Sequence, residues 1–373
     1  MQDFFQGKVV LITGAAGSVG QELVKQLINC SPGEIRAVDN NETELFLLGE
    51  RYRQTQKVNA YLGDVRDARK MENLCAGVDL IFHTAAFKHV GLSEYNPFDA
   101  VQTNILGVKN IIQAAMCQRV KRVIFTSSDK AVNPTNVMGT SKLMGERLIT
   151  AANIVNTNGH QVFSSVRFGN VIGSRGSVAP IFADQIKRGQ PVTVTDIKMT
   201  RFFMTLQESA HLVLVACTMA CGGEVFVTKM PVMRILDLAQ AMIELLAPTY
   251  GFDPEDLEIR FIGPKSGEKL YEELLSAEEM ARTIELRKMF VVLPALGSFY
   301  RNISYAYKHE ISRPVHRPYI SSQEKPLSVE EIKNFLVDHE VLKEFLLPFQ
   351  VSSLGSDRVS PEKLANLAAA GLR

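Results

Sequence analysis

Residues 9–27 read VVLITGAAGSVGQELVKQL, and this stretch decides the fold. An apolar, β-branched run meets a turn with Gly14, Gly17 and Gly20 in GxxGxxG spacing. Apolar positions at helical intervals follow (Leu23, Val24, Leu27). In a strand–turn–helix of this kind the first glycine permits a tight turn and the second lets backbone approach a pyrophosphate. The third allows helix and strand to pack closely. The helix start, with Ser18 and Val19, presents free N–H groups and a partial positive charge to phosphates. The alternative is a tight βα turn with no ligand, but glycines placed after a strand and before a helix favour the dinucleotide.

Working outward, Asp39 closes a second strand, EIRAVD, about twenty residues past the turn. A carboxylate there accepts bonds from both adenosine ribose hydroxyls and repels a 2′-phosphate, which favours NAD over NADP. Its other reading is a helix N-cap for NETELFLL. Asp64 and Val65, in GDVRD after a third strand, are expected beside the adenine, although Asp after a strand is also ordinary turn chemistry. Ala85, past a fourth strand, is counted with the cofactor contacts.

Six apolar strands, KVVLIT, EIRAVD, VNAYLG, DLIFHT, RVIFTS and QVFSSVRF, alternate with amphipathic stretches such as Gln21–Asn29 and Pro97–Gln118. That pattern predicts an α/β fold, a doubly wound parallel sheet covered on both faces. It is expected over residues 1–170. Beyond it the elements shorten, and 171–348 read as a smaller, interleaved substrate lobe with 349–373 as a tail. Ser328 and Glu331 form a capping-box pattern that opens a late helix.

A formal charge of +1 makes no electrostatic case for nucleic acid or an anionic membrane. The five cysteines, Cys30, Cys75, Cys117, Cys217 and Cys221, are scattered without metal-ligand spacing, so no metal is expected. MQDFFQGK leads straight into a strand, and the longest apolar run, HLVLVACTMA, is short for a bilayer. A soluble, cytoplasmic protein is expected.

The layout resembles the extended short-chain dehydrogenase/reductase superfamily, with its Rossmann-like sheet. The resemblance tightens over HTAAFKHV, TSSDKAVNPTNVMGTSK, VRFGNVIGSRGSV, PVTVTDIKMTRFFMT, GGEVFV and SGEKLYEELL. Together these are similar to the nucleoside-diphosphate N-acetylglucosamine 4,6-dehydratases of bacterial polysaccharide biosynthesis, over roughly residues 8–280. The resemblance implies a tightly held, recycled NAD that oxidises C4 of the sugar. The resulting ketone acidifies C5–H, water is lost from C5 and C6, and the hydride returns to C6. It further implies Asp129 as the acid and Lys130 as the base of the elimination. For those roles near neutral pH, the Asp pKa must rise and the Lys pKa must fall. Lys142 matches the lysine on the nicotinamide ribose. Ser127 and Ser128 occupy the place of the C4-hydroxyl binder, with Ser128 the better placed.

One position departs from ordinary relatives. Met138 stands four residues before Lys142, where a tyrosine normally takes the C4 proton, and a thioether cannot. Met also occurs there in a subset of the dehydratases, whose members tend to retain configuration at C5. The C4 proton is then expected to leave through Asp129, or through a water held by Ser128 and Lys142. At the substrate end the resemblance assigns Asn170 and Arg201 to the diphosphate and Glu268 to the nucleoside ribose. Lys88 and His89 fall near the sugar or diphosphate, Arg175 is a possible helper, and Lys198 reads as a solvated charge. UDP and GDP sugars both remain open, and a homo-oligomer is expected. The alternatives are a 4-epimerase or reductase on the same fold, or a silent NAD or nucleotide-sugar sensor.

Overall fold

The computed structural model describes residues 1–155, 161–264, 267–300, 303–343 and 345. The expected tail, 349–373, and the last residues of the expected second lobe lie outside them.

The six anticipated strands form as β1 (Val9–Thr13), β2 (Glu34–Asp39), β3 (Val58–Leu62), β4 (Leu80–His83), β5 (Arg122–Thr126) and β6 (Val162–Arg167). They pair in parallel in the order β3-β2-β1-β4-β5-β6. The order reverses between β1 and β4, and a ligand crevice opens at such a reversal, beyond the strands' carboxyl ends. Central β4 is buried at all four positions, whereas β3, on the sheet's edge, is mostly exposed, in keeping with its polar Asn59.

The helices used below are α1 (Ser18–Ile28), α2 (Gly107–Cys117), α3 (Val137–Val155), α4 (Val178–Lys187), α5 (Leu206–Met219), α6 (Ile235–Leu246) and α7 (Val329–Asp338). Successive strand side chains point to opposite faces. Val10 and Ile12 pack into one core with Leu23 and Leu27 of α1 and Val213 and Leu214 of α5. Leu11 packs into another, with Ile111 of α2 and Ile149 of α3. A third core, joining α4, α6 and α7 through Phe182, Met242 and Leu336, belongs to the region after residue 170. The Ser328–Glu331 capping box forms at the start of α7.

Among the described residues, four of the sheet's ten strands come from beyond residue 170. Val225–Thr228 pairs in parallel with β6, and Met289–Val292, Thr283–Leu286 and Glu310–Ser312 follow as antiparallel neighbours. The segment Pro97–Gln118 is not one regular helix. Between a short turn at Pro97–Ala100 and α2, residues Val101–Leu106 wind as a π-helix. This wide turn carries Asn104, whose amide bonds both backbone groups of Phe87 and the Ser141 hydroxyl, tying the loop after β4 to α3.

Among the described residues, no helix is long and apolar enough to cross a membrane, and no group of three or more His, Cys, Asp or Glu is placed to hold a metal. Cys30, Cys75 and Cys217 are buried, Cys117 is exposed and Cys221 lies between.

Candidate active site

A cleft of about 980 Å³ runs along the carboxyl ends of β1, β2, β4 and β5 into the region after residue 170. That volume is at the top of the usual range for small-molecule sites, about 300–1,000 Å³. Gly14, Gly17, Ser18, Val19, Gly20, Asp39, Asp64, Val65 and Ala85 line its dinucleotide end.

Gly14 has φ +69°, and a Cβ there would lie 2.7 Å from the Ala85 nitrogen. Only glycine permits both the left-handed backbone and that close approach. Gly17, by contrast, would bring a Cβ near nothing but the Gly14 carbonyl, at 3.1 Å, so its outer face is free for a ligand. Asp39 accepts the Ala16 N–H through Oδ2 (3.0 Å) and the Asn41 N–H through Oδ1 (2.9 Å). It therefore fastens the glycine turn while lining the cleft. The helix that follows is capped by Asn41, which accepts from Glu44 N (3.2 Å), so Asp39 is not the N-cap. Asp64 is engaged by the Arg66 fork, at 2.6 and 3.0 Å, and that bonding, against some burial, holds its carboxyl below the usual range.

The catalytic segment leaves β5 as a short 3₁₀ turn, Asp129–Ala131, and then enters α3. Ser128, Lys130, Met138 and Lys142 face the cleft. Met138 and Lys142 lie one turn apart on α3, and both are buried. The Lys142 ammonium donates to the Thr126 carbonyl (2.8 Å) and sits 4.8 Å above the Phe125 ring. Burial lowers its pKa to about 8, although the Glu146 charge opposes the fall. Asp129 does not line the cleft. It is fully buried behind Ser128, and its Oδ1 accepts from the Ser128 hydroxyl (2.7 Å), the Lys130 N–H (2.8 Å) and the Lys130 ammonium (3.0 Å).

The expectation of a lowered Lys130 does not hold. Burial pushes its pKa down, but the carboxylates of Asp129 and Glu272, the latter at 3.1 Å, outweigh it and hold the group above its ordinary value. The Glu272 carboxyl is pushed up, through burial and the nearby Asp129 charge. Glu272 was missed in the sequence, although SGEKLYEELL contains it. A single acidic residue in an acidic run gives no sign of the lysine it meets 142 residues earlier in the chain.

Lys88, His89, Asn170, Arg201 and Glu268 also line the cleft. Lys88 donates to the Arg175 carbonyl (2.6 Å), and burial, with Arg175 nearby, depresses its pKa. His89 is likewise lowered by burial and then by Lys88. The Asn170 side-chain oxygen accepts from Lys130 (3.4 Å). Arg201 is buried and donates to the carbonyls of Thr200 (2.8 Å), Lys269 (2.7 Å) and Leu270 (3.3 Å), with Glu268 3.8 Å away. Its fork is thus largely engaged by backbone. Arg175 does not line the cleft but straps the glycine turn. Its guanidinium donates to the Ala16 carbonyl and pairs with Glu44 (2.9 Å), while its N–H donates to the Ser18 hydroxyl (3.2 Å). Lys198 is exposed and away from the cleft.

Comparison with known proteins adds relatives to this geometry. The family described as "Polysaccharide biosynthesis protein" matches residues 10–294. An uncharacterised membrane protein of Methanocaldococcus jannaschii is 50% identical over 294 residues, 79% of this chain and 88% of that one. A UDP-glucose 4-epimerase of Rickettsia massiliae is 37% identical over 349 residues, 92% of this chain and 99% of its own. The X-ray structure of Pen from Bacillus thuringiensis is 40% identical, with a TM-score of 0.83 over 90% of this chain and 98% of that one.

Proposed function

The chain belongs to the polysaccharide biosynthesis protein family, and from that membership we propose that it is an NAD-dependent 4,6-dehydratase of a nucleotide-activated N-acetylglucosamine. The observation that carries this reading is the Ser128–Asp129–Lys130 cluster, hydrogen-bonded at the floor of a cleft whose other end is a glycine turn. NAD fits the open outer face of Gly17 and the α1 amino end, and the Asp39 carboxylate disfavours a 2′-phosphate. NAD held there would supply the redox chemistry, with C4 as hydride donor and C6 as the place of the hydride's return.

The protein's own groups move the protons. Ser128 holds the C4 hydroxyl and relays its proton to Asp129, 2.7 Å behind it, so Met138 need only fill space where a phenol would stand. Asp129 gives that proton, through Ser128, to the departing C6 hydroxyl, and water leaves. Lys130 takes the C5 proton and restores it to the same face, which retains the configuration. Lys142 orients the nicotinamide ribose. Lys88, His89, Asn170, Arg201 and Glu268 make the sugar-nucleotide wall, with UDP the favoured carrier and GDP the alternative. A second copy of the chain is the expected partner, because Tyr95 and Phe98 are 86% and 84% exposed beside Leu92 and Val101.

A second reading, nucleotide-sugar 4-epimerase, is favoured by the full-length likeness to the Rickettsia protein. The Asp129–Lys130 pair weighs against it, since inversion at C4 needs no acid and base for an elimination across C5 and C6. Mass spectrometry after incubation with UDP- or GDP-N-acetylglucosamine separates the two. The dehydratase is expected to remove one water from one of them. Unchanged mass with inverted C4 overturns it in favour of the epimerase, and no conversion of either leaves a binding protein.

A further inference from the structure

As the base at C5, Lys130 must reach the sugar as a neutral amine, yet the fold holds it as an ammonium between two carboxylates. Its Nζ lies 3.0 Å from Asp129 Oδ1 and 3.1 Å from Glu272 Oε1. The two acceptors are not equivalent. Asp129 Oδ1 already receives the Ser128 hydroxyl and the Lys130 N–H. Glu272 is more weakly supported. Among the described residues, its Oε1 has only Lys130 and, at 3.6 Å, the Arg201 Nε, while its Oε2 is buried with no hydrogen-bond partner. The side chain is 2% exposed and borders the cleft.

We propose that Glu272 is the positioning residue that takes the proton from Lys130 and so frees the amine to act at C5, an inference that rests on the dehydratase reading above. The step balances within the pair. An N–H bond of the ammonium breaks, its electrons stay on nitrogen, and an O–H bond forms on Glu272. The amine then accepts the C5 proton as the enone forms and returns it to C5 after hydride has reached C6. Glu272 finally gives its proton back to Lys130.

The groups facing Glu272 favour this role. Asp129 and Lys130 approach from the 3₁₀ turn and Arg201 from Thr200–Met204, while Ser321 Oγ accepts the Glu272 N–H (2.9 Å). On its own segment, Glu268 turns to Arg201, and Lys269 to Glu273 and the Val132 carbonyl. Burial and Asp129 push the Glu272 carboxyl up, against Lys130 and Arg201. Two coupled groups sharing one proton hold it over a wide pH range.

The test is the pH profile of kcat for water loss, with wild type, Glu272→Gln and Glu272→Asp in one assay. Wild type and Glu272→Asp are expected to be flat between about pH 6 and 9, because the shared proton never leaves the pair. In Glu272→Gln the lysine must lose its proton to solvent. Its kcat is expected to start about 10²-fold down and climb about tenfold per pH unit, with KM little changed. A Gln profile parallel to wild type, or an Asp profile as steep as that of Gln, overturns the role of Glu272 alone. Absence of water loss in wild type overturns the dehydratase reading, and this inference falls with it.

Discussion

Two buried clusters in this molecule share one formula, a cation between two carboxylates, and differ in how completely they are satisfied. Arg167 donates to Glu146 (3.0 and 2.7 Å), to Glu279 (3.0 Å twice) and to the Leu274 carbonyl (2.9 Å). Among the described residues, none of the side-chain atoms of those three charged groups is buried without a partner. Burial opposes ionisation of Glu279, yet Arg167 draws its pKa down to about 2. Lys130 sits as close to Asp129 and Glu272, but there Asp129 Oδ2 and Glu272 Oε2 have no partner among the described residues, and the Glu272 carboxyl moves the opposite way. Burial and charge are thus common to both clusters, and what sets the candidate site apart is unspent hydrogen-bonding capacity beside a cavity.

Substitutions can break this contrast. The largest effect is expected from Asp129→Asn, which keeps the shape and removes the proton. It is predicted to cost about 10²- to 10⁴-fold in formation of the 4-keto sugar, followed by mass spectrometry, with an unfolding midpoint near wild type. Glu146→Ala is predicted to do the reverse, removing about 3–5 kcal/mol of stability in chemical denaturation, because Arg167 loses half its support in the interior. Acid titration sharpens the point. Glu279 has a depressed pKa, so its stabilisation is full above the ordinary carboxylate value of about 4.3 and is lost as pH falls through about 2. Glu279→Gln is expected to flatten the denaturation midpoint across that window, and an unchanged slope would contradict the assignment. The smallest effect belongs to Met138→Leu, a volume-conserving change predicted to cost under about 1.5 kcal/mol of stability and to leave turnover within about threefold. A large loss of turnover there would mean that the thioether does more than fill space.

These comparisons also separate what could be read along the chain from what could not. The glycine turn was legible because every residue that makes it lies within one short segment, where local backbone demands fix the type. Ser128, Lys130, Met138 and Lys142 were marked instead by resemblance to a family segment, and the 3₁₀ turn and α3 bring them to the cleft. Glu272 and the partners of Arg167 were not legible, since each ion pair joins residues distant in sequence, and charge patterns are blind to such meetings. The direction of the Lys130 pKa was misjudged for that reason: the second carboxylate comes from outside the segment. The π-helix at Val101–Leu106 was hidden as well, because its apolar spacing reads as ordinary helix until Asn104 is seen to hold Phe87.

The sheet is not assembled in the order in which the chain is made. β6 pairs on one side with β5, already synthesised, and on the other with Val225–Thr228, some sixty residues later. A nascent chain that has just emitted β6 therefore carries a row of unpaired backbone donors and acceptors on a buried-type strand. It must be shielded until its late neighbour arrives, and a fragment ending near residue 170 would offer that bare margin to any other chain, a direct route to aggregation.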